Sequence, residues 1–214
     1  MKQIRLNNIV PHVFSRSTDL QSDVWNKDVT LEKGRTYLVE AQSGRGKSTF
    51  CSYLIGYRQD YTGELLFDDT PTSNLNMQQW SEVRRSSISH LFQELRLFPE
   101  LSARDNVMLK NALTQHVTIS QVNQWFERLG IADKMDTPIG NMSFGQQQRV
   151  ALMRALAQPF DFLVADEPVS HLDDANASVM ASLMMEEVHR QGAGVIVTSI
   201  GKHMDLEYDK VFCL

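Results

Sequence analysis

The chain has 214 residues, 42% hydrophobic and 22% charged, which suits one compact domain with a sizeable core. No apolar run approaches the roughly 18 residues of a membrane span, and the opening MKQIRLNNIV lacks the apolar stretch of a secretory signal. A cytoplasmic protein that meets membranes only through partners is therefore expected, and the net charge of −5 speaks against a nucleic-acid binder.

The first forty residues read as short strands, KQIRLNNIV, DVTLEKG and RTYLVEA, with a turn at Lys33-Gly34 between the last two. GELLFDD reads as a further strand. From about residue 75 to about 135 the chain is polar and reads as helical. There ISQVNQWFERLG sets Val122, Trp125, Phe126 and Leu129 at helical spacing as a core-facing stripe, and Gly130 stops the helix. SFGQQQRVALMRALA is helical up to Pro159, and FDFLVAD is the near-continuous apolar run of a strand buried on both faces. NASVMASLMMEEVHRQG is helical to Gly192, and GVIVTS and KVFCL close the chain as strands. Strands alternating with helices predict an α/β domain with a mainly parallel central sheet. The two cysteines, Cys51 and Cys213, have no Cys-x-x-Cys spacing and no sequence cluster with histidine. They predict no zinc site and two reduced, buried thiols.

Two stretches carry chemistry. AQSGRGKST, residues 41–49, follows the apolar strand TYLVEA and opens a helix, the setting of a phosphate-binding loop. Its glycines let backbone N–H groups turn toward phosphate, and the helix N-terminus adds its positive end. Ser43, Gly44, Arg45, Gly46, Lys47, Ser48 and Thr49 form the cradle, with Lys47 reaching the β- and γ-phosphates and the Ser48 hydroxyl ligating Mg²⁺. FLVADEP then ends a buried strand with Asp166 and Glu167. Ligands of open α/β sheets sit at the carboxyl ends of strands, which turns both carboxylates toward the phosphate loop. Asp166 can hold the Mg²⁺ shell, while Glu167 can orient an attacking water or take its proton.

With these motifs, NMSFGQQQRVALMRALA and SHLD resemble the nucleotide-binding subunits of ATP-binding-cassette (ABC) transporters, over essentially the whole chain. MSFGQ resembles the family's Leu-Ser-Gly-Gly-Gln signature, with Met142 for leucine and Phe144 for the first glycine. Locally, Ser143 and Gln146 form a Ser-x-x-Gln capping box, and Gly145 permits close backbone approach at the helix start. The resemblance implies a phosphate-loop ATPase core with an antiparallel β subdomain near the N-terminus and an inserted helical subdomain. The core would span 1–90 and 156–214, and the helical signature subdomain 91–155. It implies that Ser143, Gly145 and Gln146 cover the γ-phosphate of ATP held by a second ATPase subunit, so that a homodimer or heterodimer sandwiches two ATP molecules. It further implies that Gln93 senses the Mg²⁺ and links the site to a separate transmembrane permease, and that Asp173 crosses to the opposite site. The aromatic stacked on adenine would be Phe14 or Trp25, each of which reads equally well as a core residue. Within the family, the wording resembles subunits of lipoprotein-release, macrolide-export and cell-division complexes.

The chain departs from the family pattern at one catalytic contact. A histidine is expected where VTSIGKH has Ser199, and serine lacks its reach to the γ-phosphate. His203 could replace it only if the loop folded back, and a plain surface or core role is the favoured reading for it. Ala41, in place of the first loop glycine, costs something only if the backbone there requires a glycine conformation. Intact ATP binding and dimer closure, with slowed hydrolysis, are the expectation. The alternative is a nucleotide-gated regulatory module that hydrolyses slowly or not at all. DNA-repair ATPases that share the signature need a coiled-coil insertion for which this chain has no room.

Overall fold

The computed structural model describes residues 1–15, 21–42, 44–201 and 203–214. In chain order the elements are β1 (Gln3–Pro11), β2 (Asp28–Glu32), β3 (Thr36–Glu40), α1 (Lys47–Leu54), β4 (Tyr61–Phe67), β5 (Thr70–Pro71), α2 (Met77–Glu82) and β6 (Ile88–Leu91). Then follow α3 (Ala103–Asn111), α4 (Ile119–Arg128), α5 (Phe144–Leu156), β7 (Phe162–Asp166), α6 (Asp174–Gln191), β8 (Gly194–Ser199) and β9 (Lys210–Cys213).

A four-stranded antiparallel sheet runs β2-β1-β4-β5, and a five-stranded parallel sheet runs β6-β7-β8-β3-β9. Every residue of β7 and of β8 is buried, which is why FLVAD and GVIVTS read as continuous apolar runs. Alternation divides the core between the two faces of the parallel sheet. Leu163, Ala165, Val195 and Val197 face α4, α5 and α6, packing with Phe126, Leu152 and Met184. Phe162, Val164 and Ile196 face α1 and the antiparallel sheet, packing with Phe50, Tyr53, Ile4 and Leu6. The stripe of Val122, Trp125, Phe126 and Leu129 is buried as its spacing predicts.

The polar stretch from 75 to 135 is not wholly helical, which corrects the sequence reading. It contains β6, which pairs in parallel with β7 from Ile88↔Phe162 to Leu91↔Ala165. Four residues with serine and histidine among them are too few to display a strand period, and only the partner strand gives them their conformation. Beyond it the chain turns at Leu95 and Arg96, both at positive φ (60° and 50°), and the Arg154 guanidinium from α5 donates to both their carbonyl oxygens. Cys213 is exposed on the edge strand β9, contrary to the expectation of two buried thiols, while Cys51 is buried in α1. No helix among the described residues is long and apolar enough to cross a membrane.

Candidate functional site

The phosphate loop joins β3 to α1. Gly46 caps α1 at φ 99°, and Gly44 also lies at positive φ (81°), conformations that glycine adopts without a Cβ penalty. Ala41 is not among the residues at positive φ, so its methyl group costs nothing there; its N–H donates to Ser199 O at 3.2 Å. Ser43 lies outside the described residues. Gly44, Arg45 and Ser48 are exposed and Thr49 is half-buried. Lys47, in the first turn of α1, is 6% exposed.

Because α1 packs on β7, Lys47 meets the residues that end that strand. Lys47 Nζ lies 3.4 Å from Glu167 Oε1. Glu167 is itself at positive φ (49°) and its N–H donates to Thr198 O at 3.1 Å. Asp166 is 5% exposed, and Thr198, fully buried at its rung on β8, donates its hydroxyl to Asp166 Oδ1. Burial raises the Asp166 carboxyl above the usual carboxylate range and the Glu167 charge adds to that, while the Thr198 hydroxyl and Lys47 oppose it. A bound divalent cation would reverse that balance. Ser48, Gln93 and Asp166 offer a hydroxyl, an amide and a carboxylate oxygen, an all-oxygen set that fits Mg²⁺. Gln93 stands exposed in the turn after β6, and the charge of the adjoining Glu94 is felt at Asp166.

Of the remaining predicted residues, Trp25, Phe14 and Ser199 touch the phosphate loop, while Ser143, Gly145, Gln146 and Asp173 make no hydrogen bond or ion pair to it among the described residues. The capping box forms: Gln146 N donates to Ser143 Oγ at 3.4 Å and Ser143 N to Gln146 Oε1 at 2.9 Å. A Cβ on Gly145 would meet Leu172 Cδ2 at 3.2 Å. Asp173 caps α6, accepting from Asn176 N at 2.9 Å. Among the described residues, no hydrogen bond or ion pair joins Ser143, Gly145, Gln146 or Asp173 to Lys47 or Asp166. Trp25 is buried and its Nε1 donates to Arg45 O at 3.5 Å, a support beneath the loop that removes it as a stacking surface. Half-buried Phe14 approaches Gly46 so closely that a Cβ there would lie 3.0 Å from its ring. Ser199, buried at the end of β8, pairs with Glu40 on β3, and His203 is exposed with Nδ1 3.8 Å from Glu40 Oε1.

Sequence reasoning missed Thr198, although it adjoins Ser199, because its role appears only once β8 is set in register with β7. It also missed His90, which the fold brings to Cys51 and Asp166, so the absence of a Cys/His cluster in the sequence is corrected in space.

The family model for ABC transporters matches residues 24–170. The chain belongs to the ABC transporter family. The lipoprotein-releasing system ATP-binding protein LolD of Myxococcus xanthus is 31% identical over 79% of this chain and 77% of that protein. The macrolide export ATP-binding/permease protein MacB of Aggregatibacter actinomycetemcomitans is 30% identical over 86% of this chain, which spans only 29% of that protein's length. A dimeric post-hydrolysis structure of the ATP-binding cassette MJ0796, bound to ADP and Pi, superposes with a TM-score of 0.75 at 25% identity, covering 92% of this chain and 87% of that one. The two sheets and their helices are those of an ABC cassette. This ABC chain is an ATP-binding, ATP-hydrolysing subunit of the kind that powers transport.

Proposed function

We propose that this ABC ATPase works in the cytoplasm as one half of a dimer, identical or mixed, which closes on two Mg²⁺-ATP and drives a separate membrane permease. The observation that carries this reading is the Lys47–Glu167 ion pair beside buried Asp166, a phosphate-binding cation and two carboxylates at the carboxyl end of one parallel strand.

In this reading the backbone N–H groups of Ser43, Gly44, Arg45 and Gly46 bind phosphate oxygens with Lys47 and Thr49, and Phe14 offers adenine a ring. Ser48, Gln93 and Asp166 would hold Mg²⁺, which supplies neutralisation of the charge developing on the transferred phosphoryl group. Glu167 orients the attacking water and takes its proton. Ser143, Gly145, Gln146 and Asp173 act on the partner's ATP, since among the described residues no hydrogen bond or ion pair joins them to Lys47 or Asp166. Residues 91–155 form the helical signature subdomain and the remainder the ATP core. A groove of about 440 Å³ beside the Gln93 turn, with Arg84, Arg96, Lys110 and Arg154 around Tyr57 and Phe98, offers a permease helix with an acidic face a seat. The likeness to LolD and MacB supports a permease that works on material at the envelope.

Ser199 favours a second reading, a nucleotide-gated module with little turnover. Purified wild type, Glu167→Gln and Ser199→His chains, each assayed for ATP binding and hydrolysis, separate the two. Turnover lost in Glu167→Gln and raised in Ser199→His supports the transport ATPase. ATP binding without turnover in all three, with or without the permease, supports the module.

A further inference from the structure

Cys51, His90 and Asp166 are far apart in sequence and converge at the rim of the nucleotide site. The strand period explains how. On β6, Ile88 and His90 share one face, and on β7, Phe162, Val164 and Asp166 share the same face, which α1 covers. Cys51 is the α1 residue set against them. Its thiol, the His90 imidazole and an Asp166 carboxylate oxygen all lie within 4.8 Å of one another, the one such group of three among the described residues.

Histidine is the odd member of that face. Both of its ring nitrogens are buried and neither has a hydrogen-bond partner. A buried polar atom left without a partner is destabilising, so the fold carries an imidazole there at a loss unless something else takes its lone pair. His90 also lines the groove beside the Gln93 turn, and its ring lies tilted against Phe92 with centroids 4.0 Å apart.

We propose that Cys51, His90 and Asp166 form an inhibitory site for Zn²⁺. Thiolate, imidazole and carboxylate together suit zinc and its neighbours in the first transition row, and a mixed set of this kind does not suit Mg²⁺ or Ca²⁺. Three protein ligands with one open position is a common zinc arrangement, with bonds of about 2.0–2.3 Å, reached here by an inward shift of roughly 1 Å. The cysteine proton leaves to solvent as sulfur takes the metal. Inhibition rests on the reading of Asp166 as the Mg²⁺ ligand: one carboxylate cannot serve both ions, so zinc holds the site out of its catalytic arrangement.

The test uses the full chain carrying Cys213→Ser, which leaves Cys51 as its sole thiol. Titration with Co²⁺ as a spectroscopic stand-in should give one equivalent of binding with a thiolate-to-cobalt charge-transfer absorption, bleached by Zn²⁺. Cys51→Ser, a near-isostere, should abolish that absorption, and His90→Phe should weaken binding at least about tenfold. Zn²⁺ should inhibit ATP hydrolysis in the parent, competitively with Mg²⁺, and should spare both variants. A parent that binds Mg²⁺-ATP normally but shows no charge-transfer absorption overturns the proposal and leaves the ATPase reading intact. Equal zinc inhibition of parent and Cys51→Ser overturns it as well. A chain that shows the absorption but fails to bind ATP keeps the metal site and removes the ATPase reading instead.

Discussion

Lys47 Nζ and Glu167 Oε1 stand 3.4 Å apart with their side chains 6% and 10% exposed, so the cation we assign to phosphate holds the carboxylate we assign to the attacking water. In the proposed site, phosphate oxygens arriving on Lys47 should compete for that ammonium and release Glu167. Glu167→Gln should therefore do two separable things. Turnover should fall by roughly 10²–10⁴-fold, the usual contribution of a positioned base. The rise in Tm produced by ATP should be larger than in wild type, because ATP no longer displaces an ion pair. A smaller ATP-induced rise in the variant would mean that the pair does not restrain Lys47.

Asp209 ties the last loop to the start of β3. Its Oδ2 accepts from Thr36 N at 2.8 Å and its Oδ1 from Arg35 Nη1 at 2.7 Å. The Thr36 N–H, aided by Arg35, holds the carboxyl below its ordinary range. A carboxylate whose pKa is depressed by folding stabilises the fold above its unfolded value of about 3.9, and that contribution is lost as pH falls through the folded value. Asp209→Asn should cost about 1 kcal/mol at pH 7, discounted for the partial exposure of the group. The difference from wild type should shrink toward zero in urea titrations run below about pH 3.9.

Gly56 ends the turn after α1 at φ 68°, where a Cβ would lie 2.5 Å from the Trp80 ring. Trp80 is buried and packed edge-on against Phe67, so the ring has nowhere to retreat. Gly56→Ala should cost about 1–3 kcal/mol in overpacking alone, with backbone strain in addition. The urea midpoint reads this directly, and an unchanged midpoint would show that the α1–β4 turn can shift as a unit.

Arg154 donates to the carbonyls of Leu95 and Arg96, two non-glycine residues at positive φ. Arg154→Ala should destabilise the chain by about 1–3 kcal/mol. It should also raise amide hydrogen exchange in residues 92–98 above the rest of the molecule. Uniform exchange across the chain would mean the turn holds its shape unaided.

The motifs that carry chemistry were legible because each is local: a loop between a strand and a helix, a carboxylate pair closing an apolar run, a Ser-x-x-Gln cap. The apolar runs of β7 and β8 announced themselves for the same reason, since burial on both faces leaves a continuous pattern. The strand at Ile88–Leu91 did not, being made by its pairing with β7. Thr198, Arg154 and His90 were likewise invisible, because each acts on a residue distant in sequence. Trp25 and Phe14 read alike until the fold buried one and left the other half-exposed, as an aromatic in sequence does not say which of its faces is free.

The grip of Arg154 on the Leu95–Arg96 turn makes α5 a crank. The helix is capped by Ser143 and runs from Phe144 through Arg154, so at 1.5 Å per residue the backbones of those last two residues are roughly 15 Å apart on one stiff rod. The two hydrogen bonds from Arg154 tie the turn beside Gln93 directly to that rod, with no strand of the sheet between them. In the proposed dimer, pressure on that side of the molecule should tilt the end of α5 assigned to the second subunit, and closure of that subunit should pull back on the turn.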